Sequence, residues 1–222
     1  MQYEKRVLHV AASCGRQCPK EEKVKAIAKK EGWLTNVPSF TDVLQAWVSP
    51  LKTAIEENVD IMKSVVEQKW RGIALKDFGE AKGKGVIATM PFSKGDVICD
   101  YHGKLLSEPE GKKRMEALEE GAMCYLFFFK GRFGTKLCLD AQTFPCECHP
   151  AKDTFGRRMN HSSKAFNVKP VVFRLNLPDG AKDSVLFLAT RDIAVNDELC
   201  WDYGVRRASF KGEGMDLEWL DD

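Results

Sequence analysis

Three adjacent polar side chains follow a Gly-Arg-Arg turn in the second half of the chain. Asn160, His161 and Ser162 offer an amide, an imidazole and a hydroxyl in consecutive positions. Such a run is unfavourable in a buried core strand, because burying each polar group without a hydrogen-bond partner costs roughly 1–3 kcal/mol. A solvated loop is the ordinary interpretation, since these residue types readily form turns. A binding site is the alternative, and the motifs on either side of the run favour it.

Two further motifs lie next to β-like runs. The sequence Lys-Gly-Lys-Gly occupies positions 82–85, and Asp-Tyr-Gly occupies positions 202–204. The glycines let the backbone approach a ligand closely, and the lysines suit a carboxylate or a phosphate. The third glycine and the following helix of a dinucleotide fingerprint are missing, so the first motif does not predict a dinucleotide site.

Four aromatic residues lie at predicted strand ends or turns, beside small or polar neighbours: Tyr101, Tyr125, Trp201 and Tyr203. Rings with hydroxyl groups at strand ends can form a cage that attracts an ammonium or a sulfonium through their π faces. Ordinary half-buried aromatics are the alternative. Composition alone leaves both interpretations open.

The chain contains eight cysteines, and no secretory signal is visible after Met1. This combination predicts reduced thiols in an intracellular protein. Zinc ligands could come from Cys14 and Cys18, or from the segment that contains Cys146, Cys148 and His149. Neither set has the paired spacing of a strong zinc signature, so we predict no metal. A zinc-dependent nucleic-acid binder stays a minor alternative.

The composition is that of a globular protein. Apolar residues make up 44% of the 222 positions and charged residues 30%, with a formal net charge of +2. This charge is too small to indicate nucleic-acid binding by itself. No apolar run approaches the roughly 20 residues that a helix needs to span a bilayer, so we expect no membrane segment.

The first 67 residues are predicted to be helical. Acidic residues at 21–22, basic residues at 29–30 and then Gly32 suit the dipole and the ends of a helix. A capping box at 39–42 predicts the start of another. Apolar residues at three-to-four spacing over 50–66 predict one longer helix. We expect these apolar faces to pack against the next domain, with a partner-binding surface as the alternative.

From Trp70 onwards short β-rich runs and turns replace the helical pattern. The predicted strands are 85–89, 96–101, 125–129, 135–139, 169–175 and 184–189. One helix, at about 108–119, interrupts them. Many short strands separated by turns predict a mainly β domain built from small sheets.

Five motifs in order carry a resemblance to a known family: 82–89, 100–103, 124–125, 156–162 and 198–204. Together they resemble the SET-domain family of protein lysine methyltransferases. The similarity is greatest to the subfamily that monomethylates histone H4 at lysine 20. The resemblance runs from about Val66 to Tyr203, and the sequence before it has no counterpart.

The resemblance implies a mainly β SET fold, pseudoknotted and made of several small sheets, with an α-helical N-terminal extension. It divides the chain into a helical region at 1–67, the SET domain at 68–205 and a cofactor-covering flank at 206–222. In the pseudoknot, the segments 160–161 and 202–203 lie together under a threaded loop, a rare arrangement in proteins. Such threading explains why both segments are polar and yet central.

The resemblance also implies S-adenosylmethionine as the methyl donor. The residues it assigns to this cofactor are Lys82, Gly83, Lys84, Tyr125, Arg157, Asn160, His161 and Trp219. The backbone of 82–84 would hold the methionine end. Asn160 and His161 would bind the amino and adenine parts, assisted by Arg157 and Tyr125, and Trp219 would cover the adenine.

The resemblance implies that Tyr203 is the catalytic tyrosine. It also implies that a channel for the substrate lysine is lined by Tyr101, Tyr125 and Trp201. The subfamily has a tyrosine where this chain has Trp201. The segment 144–149 also differs from the subfamily pattern. Both differences lie near positions where the substrate would be recognised.

The function implied is S-adenosylmethionine-dependent N-methylation of a protein lysine, with a single methyl group placed on a histone tail, most plausibly at lysine 20 of histone H4. The partners implied are a histone tail or a nucleosome, with DNA contacted through the nucleosome. We expect a monomer in the nucleus, at the chromosome, without membrane contact. The alternative is a catalytically silent SET domain that binds chromatin or peptide tails.

Overall fold

The computed structural model describes residues 2–14, 18–47, 50–80, 82–119, 122–143 and 149–204. The chain divides into two compact units, Met1–Asn58 and Val59–Asp222. The boundary therefore lies before the predicted one at residue 67. The helix Val59–Glu67 belongs to the second unit because it packs against strands of that unit. The predicted flank at 206–222 lies outside the described residues.

The first unit is helical. Its elements are α1 (Gln2–Ser13), α2 (Glu21–Lys30), α3 (Phe40–Ala46) and α4 (Pro50–Glu56). Val10, Val24 and Val43 are almost fully buried where α1, α2 and α3 meet. The predicted cap is present at the start of α3, where the Ser39 hydroxyl accepts a hydrogen bond from the Asp42 N–H.

The single long helix predicted over 50–66 is wrong. The structure has two helices there, α4 and α5 (Val59–Glu67), separated at Glu57 and Asn58. Asn58 closes the last turn of α4 through its N–H, which donates to the Ile55 carbonyl at 3.2 Å. Asparagine favours such helix ends because its side chain competes with the helical backbone for hydrogen bonds. Apolar periodicity alone cannot detect a break across which the apolar spacing of the sequence continues.

The second unit confirms the prediction of a mainly β domain of small sheets. Its strands and remaining helix are β1 (Ile73–Asp77), β2 (Lys84–Ala88), β3 (Val97–Asp100), β4 (Lys104–Ser107), α6 (Glu108–Glu116), β5 (Leu126–Lys130), β6 (Lys136–Asp140), β7 (Asn160–His161), β8 (Val168–Leu177), β9 (Gly180–Ala189) and β10 (Cys200–Trp201). They form four sheets, with orders β1-β2, β3-β9-β8, β4-β6-β5 and β10-β7.

Besides the two-residue strands β7 and β10, two strands were not predicted, β1 and β4. Most of their residues are exposed or half-buried, so they lack the apolar signal of a core strand. They are strands because they pair antiparallel with β2 and β6. The predicted helix at 108–119 ends earlier, at Glu116. Its start is fixed by Ser107 and Glu110, which form a complete capping box.

The short parallel pair β7 and β10 joins the two polar segments of the sequence. Asn160 lies beside Cys200, and His161 lies beside Trp201. Asn167 holds the pair in place, because its side chain donates to the Glu198 carbonyl at 2.8 Å and accepts from the Cys200 N–H at 3.0 Å. The backbone groups of this polar region are thus paired with each other, which allows it to lie over the core.

Gly156 brings the turn before β7 against the end of β3. A Cβ atom at this position would lie 2.3 Å from the Asp100 carbonyl oxygen and 2.8 Å from the Tyr101 Cα. Any other residue would push the two segments apart. In the part of the chain described here, no helix combines the length and apolar character needed to cross a membrane.

Candidate active site

The glycine-rich loop lies between β1 and β2 and is closed by backbone hydrogen bonds. The Phe78 N–H donates to the Gly83 carbonyl at 2.8 Å, and the Gly83 N–H donates to the Gly79 carbonyl at 2.7 Å. Gly83 has φ +68°, a conformation that favours glycine. Lys84 begins β2 and is exposed. The backbone at Gly83 is therefore left open, because nothing lies within 4 Å of the position that a Cβ atom would take.

Gly85 sets the distance between this loop and β7. A Cβ atom at Gly85 would lie 2.6 Å from Asn160 Nδ2, 2.8 Å from Phe78 Cε2 and 3.1 Å from Glu198 Oε1. An amide, a ring edge and a carboxylate thus converge on one point. The approach is possible only because residue 85 has no side chain.

Glu198 connects the loop to Asn160. Its Oε1 accepts a hydrogen bond from Asn160 Nδ2 at 2.9 Å, and its Oε2 accepts from Lys82 Nζ at 2.7 Å. An ionised carboxylate can only accept, so the amide nitrogen of Asn160 must face Glu198. The remaining polar atom of the Asn160 side chain is its carbonyl oxygen, a hydrogen-bond acceptor.

A cleft of about 760 Å³ lies beside these residues. Its lining includes Lys82, His161, Ser162, Asn167, Glu198 and Cys200. The structure therefore brings the glycine-rich loop and the segment 160–162 to one place, although they are far apart in the sequence. A cleft with an imidazole in its lining and the Asn160 amide, bound to Glu198, beside it suits a ligand that carries an ammonium group and a heterocycle.

An aromatic cluster lies next to the cleft. Trp201 is at its centre, with ring centroids 4.5 Å from Tyr203 and 5.3 Å from both Phe127 and Phe187. Tyr101 packs on Phe127 at 5.2 Å. Trp201 and Tyr101 are only 7% and 6% exposed. An amine placed against these rings would be desolvated, which favours its uncharged form.

Tyr203 joins the aromatic cluster to the cleft. Its hydroxyl donates to the Met159 carbonyl at 2.5 Å, and its N–H donates to His161 Nδ1 at 3.1 Å. The ring centroids of Tyr203 and His161 are 5.1 Å apart. Because Nδ1 accepts a hydrogen bond, the His161 imidazole is neutral and carries its proton on Nε2.

Burial keeps the two central tyrosines protonated. It raises the pKa of Tyr203 above the usual value near 10, with smaller contributions from the neighbouring Cys200 and Tyr125. It likewise raises the pKa of Tyr101, and the nearby Tyr203 adds to the shift. At neutral pH both hydroxyl groups are therefore hydrogen-bonding groups, and neither is a phenolate base.

Arg157 supports Tyr125. Its guanidinium lies over the Tyr125 ring, 4.6 Å from the centroid, and donates to the Ala141 carbonyl at 2.7 Å. The Ala141 N–H in turn donates to the Tyr125 carbonyl at 3.0 Å. These contacts place Arg157 against the aromatic side of the site, under one of the predicted channel residues.

The remaining sequence predictions lie away from the cleft or outside the described residues. Trp219, Cys146 and Cys148 are not among the described residues. His149 Nε2 donates a hydrogen bond to the Val66 carbonyl at 2.8 Å, and the ring packs edge-on against His102 at 4.9 Å. Within the described ranges, no group of three or more His, Cys, Asp or Glu side chains is arranged to hold a metal.

Sequence reasoning missed three residues of the site. Glu198 belongs to the motif at 198–204, so its position was visible, but its two partners come from segments that only the fold brings together. Phe127 and Phe187 lie inside apolar runs that also supply ordinary core residues. No sequence signal separates a channel wall from a core in such runs.

The buried hydroxyl of Tyr101 leads to a prediction about alkaline stability. The folded-state pKa lies above the unfolded value, so the contribution of Tyr101 is fully present below pH 10 and is lost as the pH rises further. We expect the unfolding free energy of the unmutated protein to fall, relative to Tyr101→Phe, by about 1.4 kcal/mol per pH unit above pH 10. Urea titrations at pH 9, 10 and 11 measure this difference in unfolding free energy between the two proteins. A constant difference across this range would contradict the assignment.

Comparison with known proteins identifies the family. The model of the SET domain matches residues 83–204, more than half of the chain. The chain is 34% identical to N-lysine methyltransferase KMT5A-A of Danio rerio over 134 residues, and 32% identical to histone-lysine N-methyltransferase Set8 of Drosophila melanogaster over 165 residues. These matches cover 60% and 72% of this chain, but only 35% and 22% of the relatives.

Among solved structures, the methyltransferase domain of human histone-lysine N-methyltransferase SETMAR is similar, with a TM-score of 0.49 and 19% identity. The match covers 62% of this chain and 46% of that one. The matched residues include Gly83, Gly85, β7, β10 and Tyr203. The chain belongs to the SET-domain family.

Proposed function

We propose that this chain is an S-adenosylmethionine-dependent protein-lysine N-methyltransferase that places one methyl group on lysine 20 of histone H4. The observation that carries the proposal is the position of Tyr203. Its N–H binds His161 at the cleft, while its ring packs on Trp201 in the aromatic cluster. One residue thus connects a place for a methyl donor with a place for an amine.

The residues of the cleft fit this cofactor. Gly83 has open space beside its backbone, which lets the amino-acid end of a ligand approach, and the Asn160 carbonyl oxygen suits an ammonium donor. His161 is neutral and offers a ring for the adenine side. The cofactor supplies a methyl group on a sulfonium, and no covalent intermediate with the protein is needed.

The aromatic cluster prepares the substrate amine. A lysine with a pKa near 10.4 must lose its proton, which costs about 4 kcal/mol at pH 7.4. Desolvation by the rings of Tyr101, Phe127 and Trp201 disfavours the charged form and lowers this cost. Both tyrosine hydroxyls stay protonated, so the proton leaves to solvent rather than to a tyrosinate.

Tyr203 orients the neutral amine. Because its hydroxyl proton is donated to Met159, its oxygen is left as an acceptor. An amine N–H that binds this oxygen turns the nitrogen lone pair away from the ring. The lone pair would then face the cleft, whose residues would hold the methyl donor.

The relatives support a histone substrate. Their names describe N-lysine and histone-lysine methyltransferases. For this chain we propose a histone tail within a nucleosome as substrate, with DNA contacted through the nucleosome, and action as a monomer at the chromosome in the nucleus. Incubation with labelled S-adenosylmethionine and a panel of histones and nucleosomes tests this. Label on H4 supports the proposal, and cofactor binding without label on any histone indicates a silent SET domain.

The cofactor residues give a second prediction. We expect Asn160→Ala and His161→Ala each to weaken S-adenosylmethionine binding by about 1–3 kcal/mol, because His161 lines the cleft and Asn160 is bound to the lining residue Glu198, so each change removes a polar partner. Calorimetry of the variants measures the affinity. Asn176→Ala is the control, since Asn176 is an exposed residue on β8. Unchanged affinity in both cleft variants would refute the placement of the cofactor.

A further inference from the structure

Glu198 is fixed from several sides, although it does not belong to the aromatic cluster. Its carbonyl accepts from Asn167 Nδ2 at 2.8 Å, and the following Leu199 N–H donates to the Val86 carbonyl at 2.8 Å. Its side chain is only 19% exposed. The carboxylate is therefore held at a defined position on the wall of the cleft.

Both carboxylate oxygens accept hydrogen bonds, one from β7 and one from the glycine-rich loop. Oε1 takes the Asn160 amide and Oε2 takes the Lys82 ammonium. Lys82 also lies over the Phe78 ring, 5.5 Å from its centroid. The same Phe78 ring edge and the Asn160 amide are the atoms that exclude a side chain at Gly85. The arrangement links the loop to β7 through one acidic side chain.

We propose that Glu198 is a positioning residue that fixes the orientation of the Asn160 amide, so that its carbonyl oxygen is available to the α-ammonium of the cofactor. This inference rests on the proposed function. The argument is one of donor and acceptor polarity. A carboxylate accepts only, so the amide nitrogen turns towards it and the amide oxygen turns away. The ammonium of an amino-acid ligand donates only, and therefore requires that oxygen.

The variant Glu198→Gln reverses this polarity without changing the shape. Lys82 can only donate, so it claims the glutamine Oε1 and leaves the glutamine Nε2 facing Asn160. The Asn160 amide must then turn its oxygen towards the glutamine and its nitrogen towards the ligand. Two donors, the Asn160 amide and the ligand ammonium, now face each other.

The test compares two ligands by calorimetry: S-adenosylhomocysteine, and its deaminated analogue in which hydrogen replaces the α-ammonium. Glu198→Gln is expected to weaken binding of the first roughly tenfold or more, the range for a hydrogen bond to a charged group, and to change binding of the second less than about twofold. A partly unfolded variant would lower both affinities together. The ratio of the two affinities therefore depends on the α-ammonium group alone.

Two further variants sharpen the result. Asp197→Asn removes a charge from the same cleft without touching Asn160, because Asp197 accepts from the Ala194 N–H, and it should leave the ratio unchanged. Adding Lys82→Met to Glu198→Gln releases the glutamine amide to turn, and should restore part of the affinity for S-adenosylhomocysteine.

An equal loss for both ligands in Glu198→Gln, or no loss, overturns the inference. The inference is also overturned if the double variant Lys82→Met/Glu198→Gln binds S-adenosylhomocysteine no more tightly than Glu198→Gln alone. Failure of the unmutated protein to bind S-adenosylhomocysteine overturns the proposed function together with the inference. Binding by the unmutated protein with an unchanged ratio in Glu198→Gln overturns the inference alone.

Discussion

Tyr203→Phe is expected to lower kcat by about 100-fold or more while leaving cofactor affinity nearly unchanged. The variant keeps the ring against Trp201 and the backbone hydrogen bond to His161, and removes only the hydroxyl bound to the Met159 carbonyl. Without that oxygen the amine has no acceptor to direct its lone pair. Small errors of alignment are costly in a methyl transfer that requires nitrogen, carbon and sulfur in line.

Single-turnover rates and calorimetric cofactor affinity measure the two halves of this prediction. Tyr3→Phe is the matched control: Tyr3 donates its hydroxyl to Asp42 in the first unit, so its loss should leave turnover unchanged. Near-normal turnover in Tyr203→Phe would remove Tyr203 from the catalytic role. An equal fall in turnover and cofactor affinity would make its role one of binding.

The second large effect is on the product. Trp201 is buried between Phe127, Phe187 and Tyr203, with centroids 4.5–5.3 Å away, so in the proposed function its indole would fill the end of the lysine channel. No partner for its Nε1 is found in the part of the chain that the structure describes. A methylated amine would have to turn within this space to present its lone pair again. Overfilling a packed site costs about 1–3 kcal/mol, so the reaction should be slow and stop at one methyl group.

Trp201→Phe should therefore allow dimethylation. Phenylalanine removes the second ring and the unpaired N–H, and opens space beside the amine. Trp70→Phe makes the same change at the edge of the same core, where the Trp70 Nε1 binds Asp100 at 3.0 Å, and should keep the monomethyl product. Mass spectrometry of a single-site substrate separates the products. Dimethyl product from the unmutated enzyme would overturn this account, as would a Trp201→Phe variant that stops at one methyl group.

Local sequence signals predicted part of the fold well. The capping residue Ser39 begins α3 as expected, and the predicted runs at 85–89 and 184–189 lie on β2 and β9. These features depend on neighbours within a few positions. The break at Asn58 was missed, because the apolar period continues across it while the backbone does not.

Long-range contacts could not be derived from periodicity. The pairing of β7 with β10 joins segments about forty residues apart, and a two-residue strand carries no pattern of its own. The family resemblance predicted that these segments meet, because their motifs occur in the right order. It gave no role to Glu198, since the roles of a carboxylate depend on which donors the fold brings to it.

The most direct test of the central claim uses nucleosomes that carry either unmodified histone H4 or H4 with arginine at position 20. After incubation with S-adenosylmethionine, mass spectrometry of the H4 tail reports the site and the number of methyl groups. We predict one methyl group on lysine 20, none on the arginine form, and near-complete loss with Tyr203→Phe. Equal methylation of both nucleosomes would contradict the proposed target. No methylation of any histone, by a protein that binds the cofactor, would contradict the proposed activity.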